Sequence, residues 1–409
     1  MRSYLYIALS KSGTVKKLLT FSLLVILVLT GCKKENNGGG TPEITPNLNI
    51  SDAFKQEGNT GSTNMDFVLE LSAPAKKEVS VRVLTKEGFA KASEDFTPVD
   101  QKIVFNIGET KKTVSVSIVG DDIKEGADDF QLALSEPVNC IVISNYAVGT
   151  IDNDDTKIPV TDAGYTTPTS YAGKTLVWAD EFNGSALNTN DWNYDVGDGC
   201  PNCGWGNNEL EYYTAGDNLY MSQGKMIIEA RKENRGSKNY TSTRLTTMGK
   251  KSFKFGRIDM RAKLPKGQGI WPAFWMLGDN FPTAGWPTCG EIDILEFLGN
   301  DLSKVYSTIH FKSGNNARNI SKSYVNSTPI PDEYHVYSLV WETDKMRMLI
   351  DDKLIGEFQV SDVSGATYPF NEKFFFLLNV AVGGNWPGAP NASTYFPQWM
   401  FVDYVRVFQ

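Results

Sequence analysis

The 409-residue sequence has only one long apolar run, two histidines and five cysteines. The run lies at the N-terminus and 22% of the chain is charged, which excludes a bundle of membrane-spanning helices. Apolar residues at helical spacing are scarce. Glycine is frequent, with 36 residues, and aromatic residues reach 12%; these turn and strand formers favour an all-β fold. The length is sufficient for roughly two to three domains.

Basic residues are fewer than acidic residues, 40 against 48. Residues 1–32 contain four basic residues and no acidic one, so the rest of the chain has 36 basic and 48 acidic residues and a net charge of −12. Such a chain repels phosphate backbones, and nucleic acid is therefore not expected as a partner. A polyanionic substrate would need a local basic patch, whereas a neutral ligand suits the overall charge.

The N-terminus has the pattern of an export signal. Lys16 and Lys17 precede an apolar run at 18–29, which is short for a bilayer span and has the size of a signal-peptide core. The run ends in Leu-Thr-Gly-Cys32, which resembles a bacterial lipobox; a plain membrane anchor with an incidental cysteine is the alternative. The resemblance implies a signal peptide over 1–32, acylation of Cys32 and a lipid anchor in the bacterial outer membrane. The Lys-Lys-Glu that follows Cys32 resembles signals for export to the cell surface, although the sequence leaves the membrane face open. Residues 33–46 lack apolar periodicity and predict a flexible tether.

Four cysteines remain besides Cys32: Cys140, Cys200, Cys203 and Cys289. A structural zinc site would need a second cysteine pair or further histidines, so zinc is not expected. A local disulfide between Cys200 and Cys203 is compatible with export and would tie a loop, but the spacing alone leaves it open.

Residues 47–155 alternate apolar and polar side chains in short runs at 67–71, 79–84, 112–119 and 130–134. This period of two predicts an antiparallel β-sandwich. The loops are acidic at 94–95, 121–125 and 152–155. Clustered carboxylates at strand ends suit calcium, which takes about six to eight oxygen ligands, although solvated loop charge has the same composition.

Four motifs in this region resemble a Calx-beta domain: the turn at 108–112, the Gly-Asp-Asp-x-x-Glu segment at 120–125, the Phe-x-Leu-x-Leu run at 130–134 and the closing 149–155. The resemblance implies an immunoglobulin-like β-sandwich, with calcium bound by Asp121, Asp122, Glu125 and Asp154. The following residues, 156–172, are rich in threonine and proline and predict a linker to a second domain at 173–409.

Three acids stand close together in the second domain, Glu291, Asp293 and Glu296, with Ile and Leu between them. On a helix they would share no face, whereas on a strand Glu291 and Asp293 point the same way. Glu296 has the wrong parity. One bulged residue at 294–295 would bring it to the same face, and bulges re-aim side chains beside active sites.

Carboxyl groups crowded on one half-buried face repel each other, so at least one holds a proton near neutral pH. A retaining glycosidase needs this asymmetry, because one carboxylate attacks the anomeric carbon while the other protonates the leaving oxygen. An exposed acidic strand face is the alternative. Several tryptophans favour a cleft that stacks sugar rings, although any single one is more often part of a core: Trp271, Trp275, Trp286, Trp341, Trp386 and Trp399.

The segment 291–296 resembles the active-site strand of glycoside hydrolase family 16, in its bulged form. The match extends along the second domain through 178–184, 204–209, 242–245, 269–278, His310, 383–388 and 402–407. Within the family the set is most similar to the laminarinases, which cut β-1,3-glucans, since lichenases lack the bulge. The resemblance implies a β-jelly-roll sandwich with a groove, and retaining endo-hydrolysis of a neutral polysaccharide by a monomer without a catalytic cofactor.

The resemblance also implies residue roles. Glu291 is the expected nucleophile, Glu296 the acid/base and Asp293 the residue that orients the nucleophile. The expected groove residues are Asn207, Arg244, Trp271, Trp275, His310 and Trp386. A structural calcium ion is expected at Glu181, the backbone of Gly224, and Asp403. The Cys-Pro-Asn-Cys insertion at 200–203 departs from the family pattern at the groove rim.

Two alternatives to a β-1,3-glucan hydrolase remain. The same mechanism acts on other β-glucans and on the galactans agarose, porphyran and carrageenan, and a dead catalytic scaffold would be a glycan-binding lipoprotein. Sulphated galactans call for Arg or Lys in the groove, but the only such residue in 268–311 is Lys304. All three acids are present. Neutral glucan hydrolysis is therefore the favoured interpretation.

Overall fold

The computed structural model describes residues 44–363 and 365–409. The predicted signal peptide, its Cys32 and residues 33–43 of the predicted tether lie outside the described residues. In the part of the chain that is described, no helix combines the length and the apolar composition needed to cross a membrane. Strands dominate both domains, which confirms the all-β prediction.

The N-terminal domain is a sandwich of two sheets, with strand orders β6-β3-β1-β8 and β2-β9-β7-β4-β5. Its strands are β1 (Asn47–Ile50), β2 (Ala53–Gln56), β3 (Gly61–Leu71), β4 (Val79–Glu87), β5 (Asp100–Phe105), β6 (Lys111–Gly120), β7 (Asp128–Val138), β8 (Ile141–Val142) and β9 (Tyr146–Asp152). The four predicted runs lie in β3, β4, β6 and β7. Alternate residues of these strands are buried, and Phe67, Phe96 and Phe130 meet at the centre of the core.

The C-terminal domain contains two large sheets and one short strand pair. Its elements are β10 (Leu176–Asp180), β11 (Asn193–Asp195), β12 (Glu211–Tyr213), β13 (Leu219–Ser222), β14 (Lys225–Ala230), β15 (Tyr240–Ser242), β16 (Arg244–Thr246), β17 (Gly256–Lys263), β18 (Ile270–Gly278), α1 (Phe281–Ala284), β19 (Glu291–Phe297), β20 (Lys304–Ser313), β21 (Asn316–Val325), β22 (His335–Glu342), β23 (Lys345–Ile350), β24 (Lys353–Gln359), β25 (Phe374–Val382) and β26 (Gln398–Phe408). Short 3-10 helices lie at Ile330–Asp332 and Val360–Val363.

The seven-stranded sheet has the order β11-β16-β25-β18-β19-β20-β21, and the other large sheet runs β13-β14-β26-β17-β22-β23-β24 with β10 paired to β26. One apolar cluster contains side chains of both sheets, for example Ile258 and Met260 on β17 with Phe274 and Met276 on β18. Each such fully buried side chain contributes about 1.5–3 kcal/mol to the hydrophobic stabilisation. The sheets therefore pack face to face, and the outer face of the seven-stranded sheet is free to carry a site.

Residues 156–172, predicted as a linker, pack along the C-terminal domain. Ile158 is buried in a small apolar cluster with Ile227 and Phe401. Asp162 forms an ion pair of 2.8 Å with Arg261, and the backbone N–H of Thr167 donates to the Tyr404 hydroxyl. These anchors are spaced irregularly along the segment, so no sequence periodicity indicates them.

The two domains touch directly, within a compact unit that spans residues 46–409. The Lys124 ammonium lies 2.8 Å from the buried carboxylate of Glu229, and the backbone N–H of Gly126 donates to the Tyr395 hydroxyl at 2.8 Å. A side chain at position 126 would bring its first carbon within 1.8 Å of the Phe396 carbonyl oxygen. Glycine is therefore the residue that permits this close approach.

Candidate active site

A bulge in β19 brings the three acids to one face. On the neighbouring strand β20, Thr308 pairs with Asp293 and Tyr306 pairs with Glu296, so three steps along β19 match two steps along β20. The intervening Ile294 and Leu295 are fully buried in the core. Regular alternation would have turned Glu296 into that core, and the extra residue instead directs it into the groove, as the sequence predicts.

Burial dominates the electrostatics of the three carboxyl groups. It raises the pKa of Glu291 to about 8, and the neighbouring charge of Asp293 acts in the same direction. Burial followed by the charge of Glu296 raises the pKa of Asp293 well above its usual value. Burial also raises the pKa of Glu296, against a hydrogen bond from Thr308. The group therefore retains protons at neutral pH, as mutual repulsion requires.

The two outer acids have different hydrogen-bond partners. The Trp286 indole N–H donates to Glu291 at 2.7 Å, and the Thr308 hydroxyl donates to Glu296 at 2.9 Å. Nε2 of His310 lies 3.2 Å from Asp293 and 3.6 Å from Glu291. Each of the two outer acids thus accepts a hydrogen bond that stabilises its ionised form, an indole N–H at Glu291 and a hydroxyl at Glu296.

A groove of about 600 Å³ lies over these acids. All six predicted groove residues line it: Asn207, Arg244, Trp271, Trp275, His310 and Trp386. Trp271 meets Trp386 edge to face with ring centroids 5.6 Å apart, and Tyr306 contacts Trp386 at 4.9 Å. Aromatic walls with few polar groups are typical of sites that stack sugar rings.

Arg244 stiffens the opposite wall of the groove. Its guanidinium lies 4.6 Å from the ring centroid of Trp205 and 4.8 Å from that of Trp275. Its Nε donates to Asp195 at 3.0 Å, so the positive charge is already paired. Arg244 therefore holds two indoles in place and presents little free charge to a ligand.

Several groove residues were not predicted individually from the sequence: Trp205, Glu209, Phe281, Thr308, Asn319, Ser321 and Asn379. Thr308 and Asn379 lie on β20 and β25, the strands adjacent to β19 and β18 in the same sheet. Pairing these strands with the acidic strand would have indicated both residues.

Two of the tryptophans that the sequence suggested for the groove lie elsewhere. Trp341 is buried in the core, where its N–H donates to the Phe370 carbonyl. Trp399 packs against the small apolar cluster that contains Ile158, so neither indole lines the groove.

The predicted calcium residues of this domain are engaged in ion pairs. Arg406 binds both carboxylate oxygens of Glu181, at 2.6 and 2.7 Å. Lys225 and Arg261 each bind one oxygen of Asp403, at 2.6 and 2.7 Å. Gly224 forms a turn beside Asn183. A cation held by both acids would have to replace these ion pairs.

The acidic loops of the N-terminal domain form two groups. Glu57, Asp154 and Asp155 converge, as do Asp95, Glu125 and Asp128, with the oxygens of each group within 4.8 Å of one another. Glu125 and Asp154 thus fall in separate groups. The predicted ligand Asp122 lies outside both, because its two oxygens bind Lys157 at 2.7 and 2.8 Å. The Asp121 carboxylate accepts the backbone N–H of Ile123 and acts on Glu57 and Glu125 by its charge.

The Cys200–Cys203 pair forms a disulfide bond, which closes the inserted loop at the groove rim. Asn202 within this loop lines a side pocket that shares Trp205, Arg244 and Phe281 with the groove. The thiols of Cys140 and Cys289 are free, the first half-buried and the second buried.

Known proteins match both domains. The model of glycosyl hydrolases family 16 matches residues 203–403, and the Calx-beta domain model matches 53–155. A model of beta-glucan synthesis-associated proteins SKN1/KRE6/Sbg1 matches 114–291. The beta-glucanase of Rhodothermus marinus is 40% identical over 248 residues, which are 57% of this chain and 85% of that protein.

Other relatives are longer than the region they share. Glucan endo-1,3-beta-glucosidase A1 of Niallia circulans is 38% identical over 61% of this chain and 40% of its own length. The clotting factor G alpha subunit of Tachypleus tridentatus is 38% identical over 57% of this chain and 34% of its own length. The chain thus spans well under half the length of these two relatives.

Solved structures match the C-terminal domain almost completely. The laminarinase catalytic domain of Thermotoga maritima is 43% identical, with a TM-score of 0.55 over 58% of this chain and 98% of that one. The laminarinase of Flavobacterium sp. is 46% identical, with a TM-score of 0.53 over 57% of this chain and all of that one. With the bulged acidic strand and the aromatic groove, these matches confirm the expected family: the chain belongs to glycosyl hydrolases family 16 and carries a Calx-beta domain before its catalytic domain.

Proposed function

We propose that the protein is a retaining endo-glycosidase that hydrolyses β-1,3-glucan by double displacement. One observation carries the proposal: the β19 bulge sets Glu291, Asp293 and Glu296 on the same face, under a groove walled by indoles. Two carboxyl groups with opposite protonation are what a retaining glycosidase requires. Relatives whose names state β-glucan hydrolysis support the substrate class.

In the first step, Glu291 attacks the anomeric carbon while Glu296 donates its proton to the leaving glycosidic oxygen. The Trp286 N–H stabilises the charge of Glu291 before attack. The Thr308 hydroxyl, itself 3.1 Å from Ser321, fixes the orientation of Glu296. The C–O bond to the leaving sugar breaks as the glycosyl–Glu291 ester forms.

In the second step, Glu296 acts as a base. It takes a proton from water, the water oxygen attacks the anomeric carbon, and the bond to Glu291 breaks with net retention. Asp293 lies between the two acids on the strand, and His310 contacts it at 3.2 Å. The charge of Glu291 is removed when the ester forms and restored when the ester is cleaved, so its repulsion with this central carboxyl group is relieved and then returns.

The groove suits an uncharged glycan. Among the described residues that line it, Arg244 and His310 are its basic side chains, and Arg244 is paired with Asp195. A sulphated galactan would need free cations at its sulphate groups. Neutral glucan is therefore favoured over carrageenan or porphyran.

Product analysis tests this proposal. The purified protein is incubated with laminarin, mixed-linkage glucan, agarose, porphyran and carrageenan, and the products are sized. Laminarin should give short oligosaccharides, with the β-anomer appearing first in proton NMR spectra. Cleavage of a galactan but not of laminarin would refute the substrate. An initial α-anomer would refute the mechanism, and binding without cleavage would indicate a glycan-binding scaffold.

We also propose that the N-terminal domain binds calcium, at Asp95, Glu125 and Asp128. Oδ1 of Asp128 is buried and has no hydrogen-bond partner among the described residues, and the Asp128 carboxylate lies in this cluster. Burial raises the pKa of Glu125 to about 8 and that of Asp128 to about 7. A divalent cation would satisfy these oxygens and reverse the cost of their ionisation.

We propose a surface location through a lipid on Cys32. The support is the basic and apolar sequence that ends in Leu-Thr-Gly-Cys, together with the Cys200–Cys203 disulfide, since such bonds persist in oxidising compartments. Labelling cells with a radioactive fatty acid tests it. The wild-type protein should be labelled and accessible to external protease, whereas Cys32→Ser should carry no label. Label on Cys32→Ser would refute acylation at this residue.

A further inference from the structure

Two further glutamates are buried beside the groove, apart from the catalytic acids, and one of them, Glu209, is part of its lining. Glu209 follows the Gly-Trp-Gly-Asn-Asn turn at 204–208, and Glu211 is the first residue of β12. Glu209 is 4% exposed and Glu211 is fully buried. Acids are rarely buried unless they are paired, and here the two carboxyl groups face each other.

Glu209 is surrounded by donors. Its Oε1 accepts the Asn207 amide N–H at 3.1 Å, and its Oε2 accepts the Tyr213 hydroxyl at 3.0 Å. The Lys238 ammonium binds its backbone carbonyl at 2.7 Å. Both side-chain oxygens therefore act as acceptors, which is the pattern of an ionised carboxylate.

Glu211 has the complementary pattern. Its Oε2 accepts the backbone N–H of Val382 at 2.6 Å, while its Oε1 is buried with no hydrogen-bond partner among the described residues. Burial, followed by the charge of Glu209, raises the pKa of Glu211 well above its usual value. A proton on Oε1 that is donated to Glu209 gives this oxygen a hydrogen-bond partner. It also leaves the pair with one negative charge instead of two.

The pair is connected to the groove on two sides. Asn207 lines the groove and is held directly by Glu209. On the other side, the Asn379 amide donates to the Tyr213 hydroxyl at 3.1 Å, and the Trp275 indole donates to Asn379 at 2.8 Å. The contacts thus run from the acid pair to two amides and one indole that line the groove, those of Asn207, Asn379 and Trp275.

We propose that Glu209 and Glu211 share one proton and act as positioning residues, which fix Asn207 directly and the Trp275 indole through Tyr213 and Asn379. The inference rests on the proposed glycan hydrolysis for its ligand. Neither carboxyl group touches the reacting atoms. The pair sets the direction in which the polar groups of the groove point, and its effect falls on substrate binding.

Isosteric variants of the full chain test whether Glu209 and Glu211 share a proton. Glu211→Gln keeps a donor at the Oε1 position and an acceptor for Val382, so its KM for laminari-oligosaccharides should stay within about twofold of wild type. Glu209→Gln places an amide donor against Asn207 or Tyr213, and its KM should rise about tenfold with a smaller change in kcat. Glu211→Ala should match Glu209→Gln. Equal losses in Glu211→Gln and Glu211→Ala, or an unchanged KM in Glu209→Gln, would overturn the proposal.

Tyr213→Phe tests the contacts that connect Glu209 through Tyr213 and Asn379 to Trp275. It also replaces Glu209→Gln as the test if that variant fails to fold. It removes the hydroxyl that connects Glu209 to Asn379 while leaving the contact with Asn207. KM should rise several-fold, about half the effect of Glu209→Gln on a logarithmic scale. An unchanged KM would show that the pair does not act through Trp275. Circular dichroism and thermal melting of each variant verify the fold.

The KM profile at alkaline pH separates positioning from general structural damage. The ionisable groups facing the pair are Tyr213 on β12, Lys238 and, through Tyr213, Arg244 on β16. Loss of the shared proton leaves two adjacent charges, so the wild-type KM should rise as the solution becomes alkaline. Glu211→Gln has no such proton, and its KM should rise less. Parallel profiles of the two proteins would contradict a shared proton.

Infrared difference spectra provide a readout without substrate. The wild-type spectrum minus that of Glu211→Gln, at neutral pH, should contain a protonated-carboxyl band. Absence of that band would overturn the shared proton even if laminarin is cleaved. Presence of the band in a protein that cleaves no glucan would leave the pair intact and refute only the proposed substrate. The two failures are therefore distinguishable.

Discussion

The indole N–H of Trp286 donates a hydrogen bond of 2.7 Å to Glu291, across the start of the acidic strand. Trp286 is half exposed at the groove edge, whereas the carboxyl group it binds is largely buried. Burial raises the pKa of Glu291 to about 8, and a donor to the ionised form opposes that rise. The contact thus favours the protonation state that a nucleophile needs.

Trp286→Phe should shift the acidic limb of the pH profile. The change keeps an aromatic wall but removes the donor, so the pKa of Glu291 rises further and its ionisation requires a more alkaline solution. The acidic limb of kcat/KM on a soluble oligosaccharide should move to higher pH. Trp399→Phe, which alters an indole outside the groove, is the control. A limb that stays in place in Trp286→Phe would contradict a role in ionisation.

Glu291→Gln and Glu296→Gln should each lower kcat on laminarin by orders of magnitude with the fold retained, because both steps of the reaction need them. Asp293→Asn should lower it less. An aryl glycoside with a good leaving group distinguishes the roles, since its departure needs no proton. The first step of Glu296→Gln should recover on this substrate, and that of Glu291→Gln should not. Near wild-type turnover of laminarin by Glu296→Gln would refute its role.

Stability should depend on the protonation of Glu291. Its folded-state pKa of about 8 exceeds the value of about 4.3 expected when unfolded, so the folded protein binds more protons between these limits. Ionisation of the buried Glu291 carboxyl group therefore carries a cost in stability, and this cost grows as the pH rises from about 4 to 8. Glu291→Gln removes this cost. The Tm of the variant minus the Tm of the wild type should therefore be larger at pH 8 than at pH 5. An equal difference at both pH values would contradict the raised pKa.

The sequence predicted those features in which the chemistry of the side chains and the period of the strand agree. Acid spacing identified the catalytic strand, and the parity of Glu296 predicted a bulge that the register of β19 and β20 contains. Alternation likewise located four strands of the N-terminal domain. These features are local, so a short window of sequence determines them.

What the sequence did not reveal depends on contacts between distant segments. Asn379 meets Trp275 because β25 lies beside β18, although the two residues are about one hundred positions apart. Trp341 looked like a groove residue, since an indole in a core and an indole in a groove have the same local pattern. The packing of 156–172 relies on single anchors such as Ile158 and Asp162, which lack periodicity.

The contact between the domains should contribute to stability and not to catalysis. Lys124→Ala removes the ammonium group 2.8 Å from buried Glu229, which keeps Arg231 and Tyr220 as partners. Because buried carboxylates depend on their partners, the Tm should fall by a few degrees. Lys111→Ala is the matched control, since Lys111 pairs with exposed Glu70 within its own domain at 4.0 Å. Both variants should cleave short soluble oligosaccharides at the wild-type rate. A large loss of kcat in Lys124→Ala would place the N-terminal domain in the reaction.

Calcium should stabilise the protein more strongly as the pH rises. Burial raises the pKa of Glu125 to about 8 and that of Asp128 to about 7, so without a cation the folded state holds protons that the unfolded chain has lost, and stability falls between about pH 4 and 8. A cation binds the ionised carboxylates and adds stability by mass action. The increase in Tm from chelator to calcium should therefore be larger at pH 8 than at pH 5.5, while hydrolysis persists in chelator. Asp128→Asn should abolish the increase, and Asp122→Asn, whose carboxylate binds Lys157, should retain it. An increase equal at both pH values, or one lost only in Asp122→Asn, would refute this site.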